Sequence, residues 1–191
     1  NSLRRLGVSK IPAAWSDLGN PLFFKQVALA DPTKSGSAAK AFEMIIQQQI
    51  QEVMHAGNES EETSLQLGWA RGLQIIQRAS ANARYFTNAA SQVPVDVSLG
   101  DATIGMCIDF YGRFQSEAIR VSNNPSRLQY FTPAGGSSVG VDPIALFRGA
   151  PNPEAAKMFI EFVLSLEGQK LWDFRMGAPG GPRKYALRRQ P

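Results

Sequence analysis

A single cysteine, Cys107, and a single histidine, His55, are all the thiol and imidazole that this 191-residue chain contains. One cysteine excludes an internal disulfide, and Cys107 lies in an apolar run that marks it as a small buried side chain rather than a nucleophile. One histidine excludes a zinc site built by this chain from several imidazoles or from His and Cys pairs. His55 falls near the end of a glutamine-rich helical stretch, and no G-x-S-x-G elbow presents a serine, so a Ser-His-Asp triad has no support. No apolar run approaches membrane-spanning length, and no internal repeat or low-complexity tract is present. Charge of either sign is not in large excess: 20 Lys and Arg face 16 Asp and Glu, for a net +4. Much of that excess is Arg183, Lys184, Arg188 and Arg189, with no aromatic platform or recognition helix beside them. They read as a solvated tail, and nucleic acid is not an expected partner.

What is present is an ordinary globular composition, 43% hydrophobic and 19% charged, punctuated throughout by Gly and Pro. Residues 26–30 (Gln-Val-Ala-Leu-Ala) predict a short buried strand. A turn follows, and residues 38–56 predict a helix with Phe42, Ile45, Ile46, Ile50, Val53 and Met54 on one stripe. Thr63 and Ser64 are positioned to cap a second helix, whose expected buried stripe is Leu65, Trp69, Leu73, Ile76 and Ser80. Residues 82–86 form an extended link, and 91–99 predict a brief helix that tolerates Pro94 in its first turn. Further strands are expected at 102–109, 128–132 and 139–147, the first ending in Phe110-Tyr111-Gly112. Asn152-Pro153 starts a helix carrying Ala156, Phe159, Ile160 and Val163 inward, and Ser165 starts another through Trp172. Strands alternating with helices define an α/β fold.

Two strand ends carry the chemistry of interest. Ser35-Gly36-Ser37 stands where a strand hands over to a long helix. There the first N–H groups lack internal partners, the helix dipole adds partial positive charge, and glycine permits close approach. Thr33, in the same turn, and Ser91, at the start of the brief helix, join the candidate ligand contacts. The same serines are also good helix caps, and both roles are open. The second strand end carries Asp109 and Tyr111, whose phenol suits a hydrogen bond or a hard metal. Open α/β sheets collect ligands beyond the carboxyl ends of their strands.

Trp15-x-Asp17-Leu18, Ala30-Asp31-Pro32-Thr33-x-Ser35-Gly36, Gly100-Asp101-Ala102-x-x-Gly105 and Ile108-Asp109-Phe110-Tyr111 occur in an order and spacing that continue through most of the chain. Pro133-x-Gly135-Gly136, Asp142-Pro143-Ile144-Ala145, Ala150-Pro151-Asn152-Pro153-Glu154 and Ser165-x-Glu167-Gly168-Gln169 complete the set. Together they resemble extracellular solute-binding proteins of ABC importers, of the ferric-ion-binding class. The resemblance implies a periplasmic-binding-protein-like α/β fold with one complete lobe (residues 12–127). Residues 128–191 would supply hinge strands and helices belonging partly to the other lobe. It implies a small anionic solute, or a ferric ion with a phosphate-like anion, captured by hinge closure and passed to a membrane permease. The implied location is periplasmic, or extracellular and membrane-anchored, although no signal peptide precedes Asn1 and the first part of a lobe is expected to be missing. On this resemblance Ser35, Gly36 and Ser37 match the anion site, and Tyr111 would ligate iron; Phe110 stands where a second tyrosine would be. If part of a lobe is absent, Phe159, Ile160 and Val163 lose cover, and dimerisation through that face follows. Two other readings compete: an effector-sensing domain of a transcription regulator, and a small transferase using Lys34. The expectation here is a binding protein, not an enzyme.

Overall fold

Val27-Ala28-Leu29-Ala30 (β1) is buried along its whole length, so both faces of this strand must be covered. In the computed structural model, which describes residues 2–120, 126–174 and 177–182, β1 is the centre of a three-stranded sheet. Ala83–Thr87 (β2) and Ile104–Gly105 (β3) flank it, and both pairings are parallel. Alternation along β1 divides the core, as a two-residue period requires. Val27 and Leu29 join Leu18, Phe23, Ile45, Ala79 and Met106 on one face. Ala28 and Ala30 join Ala38, Ala90, Val93 and Ala102 on the other. Each Val or Leu fully buried this way contributes about 1.5–3 kcal/mol. A four-residue helix, Ser2–Arg5 (α1), and 3-10 turns at Trp15–Gly19 and Pro21–Phe23 precede the sheet.

Two long helices cover the first face. Gly36–Ala56 (α2) buries Ala38, Ile45, Ile46, Ile50 and Val53, in accord with its apolar stripe. Glu61–Ala81 (α3) packs along it, but starts one turn earlier than Thr63 and Ser64 suggest. Ser60 is the cap, accepting from Thr63 N–H at 3.2 Å. The buried face of α3 also differs from the expected stripe. Ser64, Gly68, Gly72 and Ala79 turn inward, whereas Leu65, Trp69 and Leu73 are exposed, Trp69 by 51%. The reason is backbone proximity: a Cβ on Gly68 would stand 2.6 Å from Ile50 Cγ1, and one on Gly72 2.7 Å from Ile46 Cα. Only small residues let the two helices approach this closely.

Gln92–Leu99 (α4) lies on the opposite face, held to β2 by Asp96, which accepts from the Tyr85 hydroxyl and from Gln92 Nε2. Burial, then the Asp96 hydrogen bond, raise the Tyr85 phenol above its ordinary value. Of residues 82–86, expected as a link, 83–86 belong to the edge strand β2, because Ala83 to Thr87 find a ladder along β1. Conversely, the strand expected at 102–109 shrinks to Ile104–Gly105, and Asp109, Phe110 and Tyr111 form the first turn of a helix, Asp109–Ala118 (α5).

No strand forms at 128–132 or 139–147 among the described residues. A strand exists only with a ladder partner, and these β-prone residues find none. Residues 126–136 are instead fastened by their carbonyl oxygens, which accept from the side chains of Trp15, Gln48 and Ser116. The chain divides into two compact units at Ser138/Val139. In the second, Asn152 precedes Pro153–Leu164 (α6), and Ser165 caps Leu166–Asp173 (α7) by accepting from Gly168 N–H. α6 has no buried residue: Phe159 is 61% exposed, and Ile160 and Val163 are half-buried. The basic cluster from Arg183 onward lies outside the described residues.

Candidate functional site

Because all three strands run parallel, their carboxyl ends share one edge of the sheet, and a helix begins after each. The chain passes from β1 through the Asp31 turn to α2, from β2 through residues 88–91 to α4, and from β3 to α5. Asp31 N–H donates to the Thr87 carbonyl at 2.8 Å, which locks the first two turns side by side. Tyr111 packs against the core cluster that holds Ala38 of α2, Ala90 of the turn before α4 and Val93 of α4. The fold therefore brings Ser35, Gly36, Ser37, Ser91, Asp109 and Tyr111 to one edge, although they span 77 positions of sequence, from 35 to 111.

The structure shows the capping role at the α2 start. Ser35 Oγ accepts from Ala38 N–H at 3.3 Å and lies 3.2 Å from Ser37 Oγ, so Ser35 is a cap. Gly36 is exposed, and an added Cβ would meet nothing within 4 Å, so open space lies over the first turn. No partner for the Gly36 or Ser37 N–H is found among the described residues. Thr33 is committed elsewhere: its hydroxyl and N–H both donate to Asp31 Oδ1, at 2.7 and 2.8 Å. Those two bonds hold the Asp31 carboxyl below the usual carboxylate range.

Asn88 was not among the sequence candidates, and Lys34 was named there only for the transferase reading. Lys34 Nζ donates to Asn88 Oδ1 at 2.9 Å and lies 3.8 Å from Asp31 Oδ2, so a cation spans the two turns. Asn88 follows a strand that reads in sequence as a link, which is why its neighbourhood was invisible there. The α4 start differs from α2. Gln92 and Val93 N–H already donate to Ala89 and Ala90 carbonyls, and Pro94 has no N–H. Ser91 makes no side-chain cap bond and offers only its exposed hydroxyl.

α5 opens without a side-chain cap. The Tyr111 ring lies against Phe110 with centroids 4.2 Å apart and planes tilted by 49°, and Arg113 Nε approaches Asp109 Oδ2 at 3.9 Å. Cys107, just upstream, has its thiol pushed up to about 12 by burial and then by the Asp109 charge, so it is inert as a nucleophile. Among the described residues no group of three His, Cys, Asp or Glu side chains could hold a metal ion, and Phe110 brings no donor to the Tyr111 turn. The arrangement suits hydrogen bonding to a small anion and contains no acid–base pair or nucleophile poised for turnover.

Comparison with known proteins agrees with a binding role. The profile of the bacterial extracellular solute-binding protein family matches residues 5–173, and this chain belongs to that family. An uncharacterised protein of Haemophilus influenzae is 25% identical over 169 residues, covering 88% of this chain and 42% of that protein. The phosphoglycerate transport regulatory protein PgtC of Salmonella typhimurium is 22% identical over 160 residues, covering 84% of this chain and 34% of the relative. The chain thus spans less than half the length of the curated relatives it matches. Among solved structures, the periplasmic binding protein AfuA of Actinobacillus pleuropneumoniae, with exogenous fructose-6-phosphate bound, superposes with a TM-score of 0.67 at 24% identity. That match covers 88% of this chain and 46% of AfuA. The periplasmic binding protein P5PA gives 0.57 at 23% identity, with 89% and 46% covered. The fold is the periplasmic binding protein fold, represented in part. No described helix is long and apolar enough to cross a membrane.

Proposed function

We propose that the chain is the ligand-holding part of an extracytoplasmic solute-binding protein of an ABC importer, and that its solute is a small phosphorylated or otherwise anionic molecule. The observation that carries this reading is the open, N–H-lined start of α2 beside Lys34, on the sheet edge that also receives Tyr111. Two or three hydrogen bonds to a charged oxygen contribute about 1.5–3 kcal/mol each, enough to orient a phosphate group. AfuA's sugar phosphate and the phosphoglycerate context of PgtC support phosphate as the recognised group. A ferric ion is the weaker alternative: Tyr111 would be its lone phenolate, since Phe110 carries no oxygen.

Closure of a second lobe over the ligand, and recognition of the closed form by a membrane permease, complete the proposed cycle. The proposed location is the periplasm. Tight capture requires the second wall, so this chain alone binds weakly. Titration calorimetry with fructose 6-phosphate, inorganic phosphate and neutral fructose tests the assignment. The expected result is heat with the two phosphates only, weakened at least several-fold by Gly36→Val, which fills the open space over α2, and more modestly by Tyr111→Phe. If neither substitution weakens binding, the residues only cap and pack, and the site lies elsewhere.

A further inference from the structure

We propose that Tyr130 is a positioning residue that couples the first turn of α5 to the connector between the two compact units. Residues 126–136 run across the first unit as a strap. Ser116 Oγ donates to the Leu128 carbonyl at 2.6 Å, Gln48 Nε2 donates to the Ala134 carbonyl at 3.1 Å, and Trp15 Nε1 donates to the Gly136 carbonyl at 2.6 Å. These three donors come from α5, α2 and the 3-10 turn before the sheet, so the strap is tied to elements far apart in sequence. Residues 137–149 are all exposed, and the boundary between units falls at Ser138/Val139.

Tyr130 joins this strap to the turn that holds Asp109 and Tyr111. Its ring lies against Gly112, where an added Cβ would overlap ring carbon Cδ2 and stand 3.2 Å from Cys107 Sγ. The Arg113 guanidinium sits 5.3 Å from the ring centroid, and the same Arg113 reaches back toward Asp109. Arg113 Nε is buried and makes no hydrogen bond, so stacking on Tyr130 and the Asp109 charge are what hold this part of its side chain. Burial raises the phenol pKa of Tyr130, in keeping with a ring seated in the unit rather than lying on it. A movement of the α5 first turn is therefore delivered through Gly112 and Arg113 to Tyr130, and along the strap to the residues that lead into the second unit.

This rests on the reading of the α5 turn as a ligand contact, and the test separates the two. Hydrogen–deuterium exchange is measured on the ligand-free chain and on Tyr130→Leu and Tyr130→Phe. Tyr130→Leu should speed exchange on the order of tenfold at residues 109–112 and also at 134–138, with α2 and α3 unchanged. Tyr130→Phe keeps the ring and should match the parent. Unchanged exchange at 134–138 in Tyr130→Leu overturns the coupling, because Trp15 and Gln48 would then hold the strap alone. Loosening spread equally through α2 and α3 overturns it as well, since Tyr130 would be general packing. Millimolar fructose 6-phosphate is then added. In the parent it should protect 109–112 and, through Tyr130, 134–138; in Tyr130→Leu it should protect 109–112 alone. Protection of 109–112 without 134–138 in the parent counts against the coupling. No protection at 109–112 in the parent counts only against the ligand reading, because the ligand-free variants have already judged the coupling.

Discussion

Replacing Gly68 by alanine should destabilise this protein, although the same change in an unhindered helix is favourable. In a helix interior, Gly→Ala gains up to about 1 kcal/mol from backbone entropy and propensity. Gly68 is not unhindered. Its Cβ would lie 2.6 Å from Ile50 Cγ1 and 2.8 Å from Ile50 N, and would overlap Ile50 Cα. A side-chain tip can rotate away, but Cα and N belong to α2, so α2 and α3 must separate. Overpacking of this kind costs about 1–3 kcal/mol, and occasionally more. Separation also loosens Ile46, Ile50 and Val53, which are buried on the α2 face. A net loss of about 2 kcal/mol lowers the thermal midpoint by about 4–8 °C in a chain of this size. Thermal and urea unfolding followed by circular dichroism give the measurement. Gly36→Ala is the control: nothing lies within 4 Å of its Cβ, so it should be neutral or stabilising by up to about 1 kcal/mol. A Gly68→Ala protein as stable as its parent would show that α2 and α3 do not pack as closely as described here, and the account of α3 would fail.

Two further outcomes are expected. The Asp31 carboxyl is held low by its bonds from Thr33, so its folded-state pKa lies below the unfolded value; its contribution is present at neutral pH and is lost as pH falls through the folded pKa. Thr33→Val should bring the Asp31 carbon-13 titration midpoint back up toward the ordinary range, and an unmoved midpoint would remove the Asp31-Thr33 turn from the account. Because Phe159 is 61% exposed and α6 has no buried residue, we propose that a second copy covers this face. Sedimentation should show concentration-dependent dimerisation abolished by Phe159→Asp, and a monomer at every concentration would refute it.

Much of this fold could be read locally. Pro153, at the first helical position, starts α6, and Ser165 caps the start of α7, both where the sequence places them. Ser35-Gly36 starts α2, and β1 announces itself as a short apolar run. The α3 face was misread because its contact surface is made of Ser64, Gly68, Gly72 and Ala79. Small residues carry no hydrophobic signal, yet they permit the closest backbone approach. Leu65, Trp69 and Leu73 were left outside instead, while Ile76 of the expected stripe packs against the core.

Capping residues, prolines and short apolar runs act on their immediate neighbours, so the sequence alone determined where α2, α6 and α7 begin and that residues 27–30 form a buried strand. The identity of the other strands, and their order, is a matter of partners. Ala83–Thr87 became β2 because β1 offered a ladder, whereas residues 139–147, expected as a strand, form none among the described residues. The site follows the same division. Ser35-Gly36-Ser37 was visible as a local helix start, but its juxtaposition with Asn88 and the Tyr111 turn exists only because three parallel strands end on one edge. Backbone hydrogen bonding between segments distant in sequence, which no local pattern encodes, decided that.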